Sequence, residues 1–298
     1  MGSSISRRGF LKAAGAGAAA GVAWPLLDCV SGGALAAEKW QMRLATSSIQ
    51  FKQLPLAQAC QEIAKLGFEA IDIWDAFDGN KHLEEAEKLG GDGLKELLEK
   101  NKLKLSAFSV YATGYQRYAE LLGKAGGGVA VRSCEGGKFK PEDVPERMKK
   151  FLETLKPLVE LAEKHNGFLA IENHGSSLLD SPDSFKAFVD NNTSPRVGVA
   201  VAPYHLQALK ASVPDVIRTC GKQFFFFYAW QNAPDFKQLP GVGPADMTPW
   251  LQALADIQYA RYVNPFMHGH PATEDMVANL ATSREYLTKC YDAVTKKE

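Results

Sequence analysis

The sequence predicts an α/β protein folded as a single (β/α)8 barrel, and three observations carry that prediction. Strand-like and helix-like segments alternate eight times along the chain, an order that builds a parallel sheet. Several strand-like segments, among them "VGVAVA" (197–202) and "QFFFFYAW" (223–230), are apolar at every position or nearly so, as strands covered on both faces are. Removing a leader at residues 1–36 from the 298 residues leaves 262, and about 250 residues in eight units suffice for a closed barrel. An open doubly wound sheet would place a G-x-G-x-x-G turn after the first strand. No such turn is there, and "IDIWDAFDGN" is not a glycine-rich phosphate loop.

Taken in order, "MRLATSS" (42–48) is strand one and 56–67 a helix with Ala57, Ile63, Ala64 and Leu66 as its apolar residues and Gly67 as its stop. "FEAIDIW" (68–74) is strand two; the charged stretch from His82 to Lys100 is helical, interrupted at Gly90–Gly91. "LKLSAFSVY" (103–111) is strand three, Tyr115–Lys124 a short helix, and "GGVAVRS" (127–133) strand four. Met148, Phe151, Leu152, Leu155, Val159 and Ala162 recur at helical spacing, with a kink expected at Pro157. "GFLAIEN" (167–173) is strand five, and Ser181–Asn191 a helix with Ser181 as N-cap and Pro182 at its first position. After strand six (197–202) the chain is helical from His205. Strand seven (223–230), a helix at Thr248–Ile257, strand eight at "YARYVNPF" (259–266) and a helix carrying Met276, Leu280, Leu287 and Tyr291 complete the pattern.

The leader is read separately. Arg7 and Arg8 precede an apolar stretch of small residues, and Ala34–Ala36 supply an A-x-A cleavage signal. The S-R-R-x-F-L-K run resembles the twin-arginine export signal, which implies an engagement with export machinery and an exported, periplasmic or extracytoplasmic protein. The mature barrel is then expected to span 37–298. Cys60, Cys134, Cys220 and Cys290 have no C-x-x-C pairing and read as free thiols rather than a zinc cage. Zero formal net charge offers no basic excess for nucleic acid, so a small molecule is the expected partner.

Barrel chemistry sits at the carboxyl ends of the strands. Standing there are Ser47 and Ser48; Asp72, Trp74 and Asp75; Tyr111; Arg132; Glu172, Asn173 and His174; His205; Tyr228, Trp230 and Gln231; and Asn264, His268 and His270. Four of the six histidines thus gather at one end. Glu172 and His174 are two apart on a strand and share a face. Facing the helices, a lone carboxylate would be costly; at the open interior Glu172 can bind metal or act as a base. The structural alternative is a bond to Arg43, Arg132 or Lys222. Catalytic candidates are Glu172, His205 and His268. Candidates for holding substrate are Trp74, Tyr111, Asn173, His174, Trp230 and His270, the aromatics as platforms for a sugar ring or simply as rim packing.

"GFEAIDIW", "PLVELAEKHNGFLAIENHG", "RVGVAVAPYHL" and "GVGPADMTPWLQALADIQYARYV" resemble the xylose isomerase-like TIM-barrel family, the sugar isomerase/epimerase group, over about residues 42–290. The resemblance implies a TIM barrel, a carbohydrate substrate, a divalent metal and proton movement beside a sugar carbonyl. It also implies metal ligands from four strand ends: Glu, Asp, His and Glu on strands five to eight. Glu172 matches the first, whereas Ala202, Tyr228 and Phe266 stand at or near the other three. A metal on Glu172 with substituted ligands and a metal-free pocket both stay open. Three functions follow: an isomerase or epimerase acting by enolisation, a lyase on keto-glycosides using the same enolate, and a sugar-binding barrel without turnover.

Overall fold

The computed structural model describes residues 39–296. The expected leader, with Arg7, Arg8, Cys29 and the cleavage signal at Ala34–Ala36, lies outside the described residues. Eight parallel strands close in sequence order: β1 (Arg43–Ser47), β2 (Ala70–Trp74), β3 (Lys104–Ser109), β4 (Gly128–Ser133), β5 (Gly167–Glu172), β6 (Val197–Val201), β7 (Phe224–Ala229) and β8 (Tyr262–Pro265). The seam is made by β1 and β8, with Arg43 opposite Tyr262 and Leu44 opposite Val263. Strand eight starts at Tyr262 rather than Tyr259, whose side chain is instead buried and donates to the Tyr262 carbonyl at 3.1 Å.

The surrounding helices are α1 (Leu56–Lys65), α2 (His82–Lys100), α3 (Tyr115–Lys124), α4 (Val144–Thr154), α5 (Lys156–Lys164), α6 (Pro182–Asn191), α7 (Pro203–Ala208), α8 (Val213–Cys220), α9 (Thr248–Asp256) and α10 (Thr273–Thr295). Ser181 caps α6, accepting from the Ser184 amide, and Pro182 stands in the first turn. Gly90 breaks the regularity of α2 at φ +69°. The kink expected at Pro157 is a full break: α4 ends at Thr154, Leu155 intervenes, and Pro157 lies in the first turn of α5. A mid-helix proline lacks the N–H for an i→i−4 bond and clashes with the preceding turn, while the first turn requires neither. No helix among the described residues is long and apolar enough to cross a membrane. The four cysteines among the described residues are free thiols, Cys134 half-buried and the others buried.

Period-two alternation sorts the strand residues into two cores. Outward residues such as Ile71, Phe108, Leu169, Val199 and Val263 pack under the helices. Inward residues such as Val129, Ala170, Ala200, Phe226 and Tyr228 fill the barrel. The inward row at mid-height is polar on one side, where Ser47, Asp72, Ser109 and Asn264 are all fully buried. Space inside is short: a Cβ added at Gly198 would lie 2.5 Å from both the Gln223 carbonyl oxygen and Phe225 Cγ. Gly198→Ala is expected to destabilise the barrel by about 1–3 kcal/mol, the usual cost of overpacking. Thermal unfolding reads this; an unchanged midpoint would show that β6 and β7 can part without cost.

Candidate functional site

Each strand delivers its last inward residue to the carboxyl end, so residues distant in sequence meet at one mouth. There a cavity of about 210 Å³ is lined by Trp74, Phe77, Tyr111, Ser133, Glu172, His174, His205, Phe266 and His268. Larger hollows, of about 430 and 540 Å³, lie at the opposite barrel end and against α4–α6, lined largely by Lys, Glu and aliphatic side chains. Unlike these two hollows, the mouth gathers a half-buried carboxyl with imidazoles and aromatic rings.

Glu172 ends β5 with part of its surface open to the cavity and the rest deep among protein atoms. Burial pushes its carboxyl up to about 7, opposed by the nearby Tyr111 hydroxyl and helped by the charge of Asp72. None of Arg43, Arg132 and Lys222 is its partner. The Tyr111 hydroxyl lies 3.0 Å from that of Tyr228, which lies 3.1 Å from Ser109 Oγ. Ser109 in turn donates to Asp72 Oδ1 at 2.9 Å. Asp72 is also bonded by Ser47 Oγ at 2.7 Å and Trp74 Nε1 at 2.6 Å. Burial raises Asp72 to about 7 despite those three donors, with the nearby Asp75 adding to the rise. Burial likewise raises Tyr111 and Tyr228 far above the ordinary tyrosine range, so both stay neutral.

Burial keeps His205 and His268 neutral as well, by lowering rather than raising their ionisation. Burial, then His174 and His268 nearby, pulls His205 down to about 3. Burial, then His174 and His270, lowers His268. The rings of His174 and His205 are 4.1 Å apart, and His205 Nε2 has no hydrogen-bond partner.

Of the residues expected to hold substrate, Trp74, Tyr111 and His174 line the cavity, as do the catalytic candidates Glu172, His205 and His268. Trp230 does not: it is 2% exposed, stacks on Tyr204 at 4.4 Å, presents its edge to His205 and His268, and donates to Gln238 Oε1 at 2.7 Å. It backs the histidines instead of offering a platform, because β7 carries it behind them. Asn173, the residue after β5, is also turned away: it is fully buried and its amide brackets Ala202, donating to the carbonyl at 3.2 Å and accepting from the N–H at 2.7 Å. His270 sits outside the cavity with Nε2 against the Asp78 carboxylate. Beneath the cavity stand Asp72, Ser109 and Tyr228, two residues before Trp74, Tyr111 and Trp230. Asp72 and Tyr228 are among the strand-end residues named from sequence; Ser109 is not, and its place two residues before Tyr111 is the signal that could have found it.

A divalent ion of the kind the resemblance implies does not fit these residues. At β6 the expected acid is the Ala202 methyl, the β7 position is the Tyr228 hydroxyl already bonded to Ser109 and Tyr111, and past β8 stands Phe266. No group of three His, Cys, Asp or Glu side chains among the described residues is placed to hold a metal.

Comparison with known proteins agrees with this architecture. The family described as "Xylose isomerase-like TIM barrel" matches residues 60–290, and a twin-arginine translocation signal sequence matches residues 4–24. No curated protein matches the chain. Among solved structures, an L-ribulose 3-epimerase is 15% identical, with a TM-score of 0.68, covering 86% of this chain and 97% of its own. A 3-keto-D-glucoside 4-epimerase from E. coli is 15% identical at TM-score 0.64, covering 82% of this chain and 100% of its own. A D-psicose 3-epimerase is 17% identical at TM-score 0.64, covering 85% and 100%. These neighbours share the fold.

Two stability measurements follow from the site. Asn173→Ala strands the N–H and C=O of Ala202 in the interior and is expected to cost about 1–3 kcal/mol, seen as a lower denaturant midpoint with unchanged slope. His205 is held near 3 in the fold against about 6.5 unfolded. Between those values the unfolded chain binds the extra proton, so this histidine makes stability fall as pH drops below about 6.5. Asp72 and Glu172, raised to about 7, act in the opposite sense. Comparing His205→Gln with wild type at about pH 7 and about pH 4.5 isolates the histidine: the variant should lose less stability on acidification. Equal losses would mean His205 protonates in place.

Proposed function

The chain belongs to the xylose isomerase-like TIM barrel family, and on that premise we propose that it is an exported enzyme that enolises a small unphosphorylated sugar ketone with Glu172 as the base. The observation carrying this reading is one carboxyl, Glu172, lining a cavity of about 210 Å³ among imidazoles and aromatic rings. A group with its ionisation near neutrality is suited to taking and returning a proton. The twin-arginine signal supports work outside the cytoplasm, in the periplasm or an equivalent compartment.

In this mechanism ionised Glu172 removes the hydrogen on the carbon beside the ketone. Charge then grows on the carbonyl oxygen. His205, lowered to about 3, meets it as a neutral imidazole, donating a hydrogen bond from the unpartnered Nε2 without giving up a proton; His268 stands beside it in the same role. Donors fixed in a dry site stabilise such charge better than water does. Trp74, Phe77, Tyr111 and Phe266 supply apolar surface for a sugar ring and exclude water. The small volume suits one ring rather than an oligosaccharide. No Lys or Arg lines the cavity, which argues against a phosphate group.

Phe266, standing where the family's second glutamate is expected, favours elimination as the second reading. With a single carboxyl at the cavity, proton return to the opposite face falls to an imidazole, whereas loss of a leaving group from the same enolate needs no second base. The activity test uses L-ribulose, D-psicose and a 3-keto-D-glucoside in deuterated water. Wild type should wash deuterium into the carbon beside the ketone of at least one of them, with a rate rising as Glu172 ionises through about pH 7. Glu172→Gln should slow the exchange by about 10²–10⁴-fold. Exchange untouched by the substitution removes Glu172 as base; thermal stabilisation by these ketones with no exchange would make the barrel a binding protein. A released aglycone selects elimination.

A further inference from the structure

The segment between β8 and α10 carries His268 to the cavity, and it is held from outside itself. Met267 to Pro271 make no backbone–backbone hydrogen bond among the described residues. Glutamine amides from two other loops hold the segment instead. Gln50 Nε2 donates to the Met267 carbonyl at 3.0 Å, and Gln53 Nε2 to those of His270 and Pro271 at 3.2 and 3.1 Å. His268 itself is taken by Gln238, which ends the single helical turn Asp235–Gln238 after β7 and is buried. Its Oε1 accepts the His268 backbone N–H at 3.0 Å, and its Nε2 donates to the His268 carbonyl at 3.1 Å. The same Oε1 accepts the Trp230 indole N–H at 2.7 Å.

The ring of His268 is placed by nothing else of this strength. Neither of its nitrogens has a hydrogen bond among the described residues, which leaves both for a ligand. The ring therefore goes where its peptide and its aromatic neighbours put it: Trp230 at 4.8 Å, Phe266 at 5.1 Å and Phe77 at 6.3 Å. Gln238 holds the peptide and the nearest of those rings together. Trp230 also stands 5.3 Å from the ring of His205, whose Nε2 has no partner either. We propose that Gln238 is a positioning residue, fixing His268 directly and His205 through Trp230 where both imidazoles can meet the ketone oxygen. This rests on the reading of the two imidazoles as donors to that oxygen. Gln238 does not line the cavity and touches no substrate.

Only an amide meets all three demands. Two N–H groups need an acceptor and one carbonyl needs a donor, and a glutamine supplies both from one planar group. A glutamate would keep the acceptor but set an oxygen against the His268 carbonyl. A methionine would fill the same length and leave two buried donors and one acceptor unmatched. Gln231 is the internal comparison. It is equally buried in the same β7–α9 connection, where its amide donates to the Leu239 carbonyl at 2.9 Å and accepts the Ala245 N–H at 2.7 Å. It folds the loop but bonds to neither histidine nor the indole. Gln238 carries the same kind of rigidity onto the imidazoles, where a displacement of about 1 Å can cost about 10²-fold in rate.

The test sets Gln238→Met against Gln231→Met in the full chain, with thermal midpoints measured for both. Gln238→Glu, which loses only the donated bond, serves if Gln238→Met fails to fold; Gly198→Ala, at the far end of the barrel, serves in place of Gln231→Met. Proton NMR of the ligand-free protein reads the imidazole C–H signals of His205 and His268, identified as those missing in His205→Gln and His268→Gln. The ring current of Trp230 displaces both. In Gln238→Met the two signals should move while those of His82 and His165 stay. With any ketone that wild type exchanges, kcat for deuterium uptake should fall by about 10–10²-fold while KM changes by less than about threefold, the mark of contacts made in the transition state. The control variant should do neither. Equal changes in the control at equal loss of stability would reduce Gln238 to a loop support and overturn the proposal, as would imidazole signals and kcat that keep their wild-type values. If wild type exchanges none of the ketones, the reading of Glu172 as base fails by itself, and the imidazole signals still decide whether Gln238 places the two rings.

Discussion

Asp72, a carboxyl fully buried in the barrel and bonded only to neutral groups, is the constraint around which the interior is arranged. A buried carboxylate without a cation demands donors. The barrel supplies serine and tyrosine hydroxyls and one indole N–H, drawn from β1, β2, β3 and β7 and the segment that follows β3. This requirement explains why an otherwise apolar core of alanines, valines and phenylalanines is interrupted by Ser47, Asp72, Ser109, Tyr228 and Asn264. Glu172 has its ionisation near neutrality chiefly through burial, with no cation beside it to hold it down.

The same arrangement accounts for the departure from the family's metal-ligand pattern. Hard divalent ions want several oxygen ligands, and this mouth offers one carboxyl. Where ligands are expected stand a methyl, a committed phenol and a phenyl ring. Charge management inside the barrel has passed to hydrogen bonds: neutral imidazoles and phenols take the place of a cation. A chemistry of proton transfer with neutral donors is consistent with such a site, and the aromatic wall keeps it dry.

Much of the fold was legible because burial on two faces leaves a mark on each strand. The apolar runs at 197–202 and 223–230 and the helical stripe from Met148 onward reflect the local periodicity of 2.0 and 3.6. Pro157 was legible as an interruption, but whether it kinks one helix or begins another depends on what the flanking turns pack against. At the site, Glu172, His205 and His268 were legible as polar residues closing apolar segments. Trp230 and Asn173 carried the same signature for different reasons: one backs the imidazoles, and the other ties β5 to the end of β6. A polar or aromatic residue at a strand end looks alike in sequence whether it faces a ligand or a neighbour.

By itself the amino-acid order determined the number of strands and helices, their faces and the end of the barrel where polar groups collect, since each of these follows from contacts within a few residues. Only the closed sheet decided that Glu172 shares its cavity with Tyr111 rather than Arg132, and that Ser109, Tyr228 and Tyr111 line up above Asp72. The hydrogen bonds among them join residues 37 to 119 positions apart, and the shifts of register between β2 and β3 and between β6 and β7 set which inward side chains come level. Period along a strand fixes direction; height around a barrel is fixed by closure.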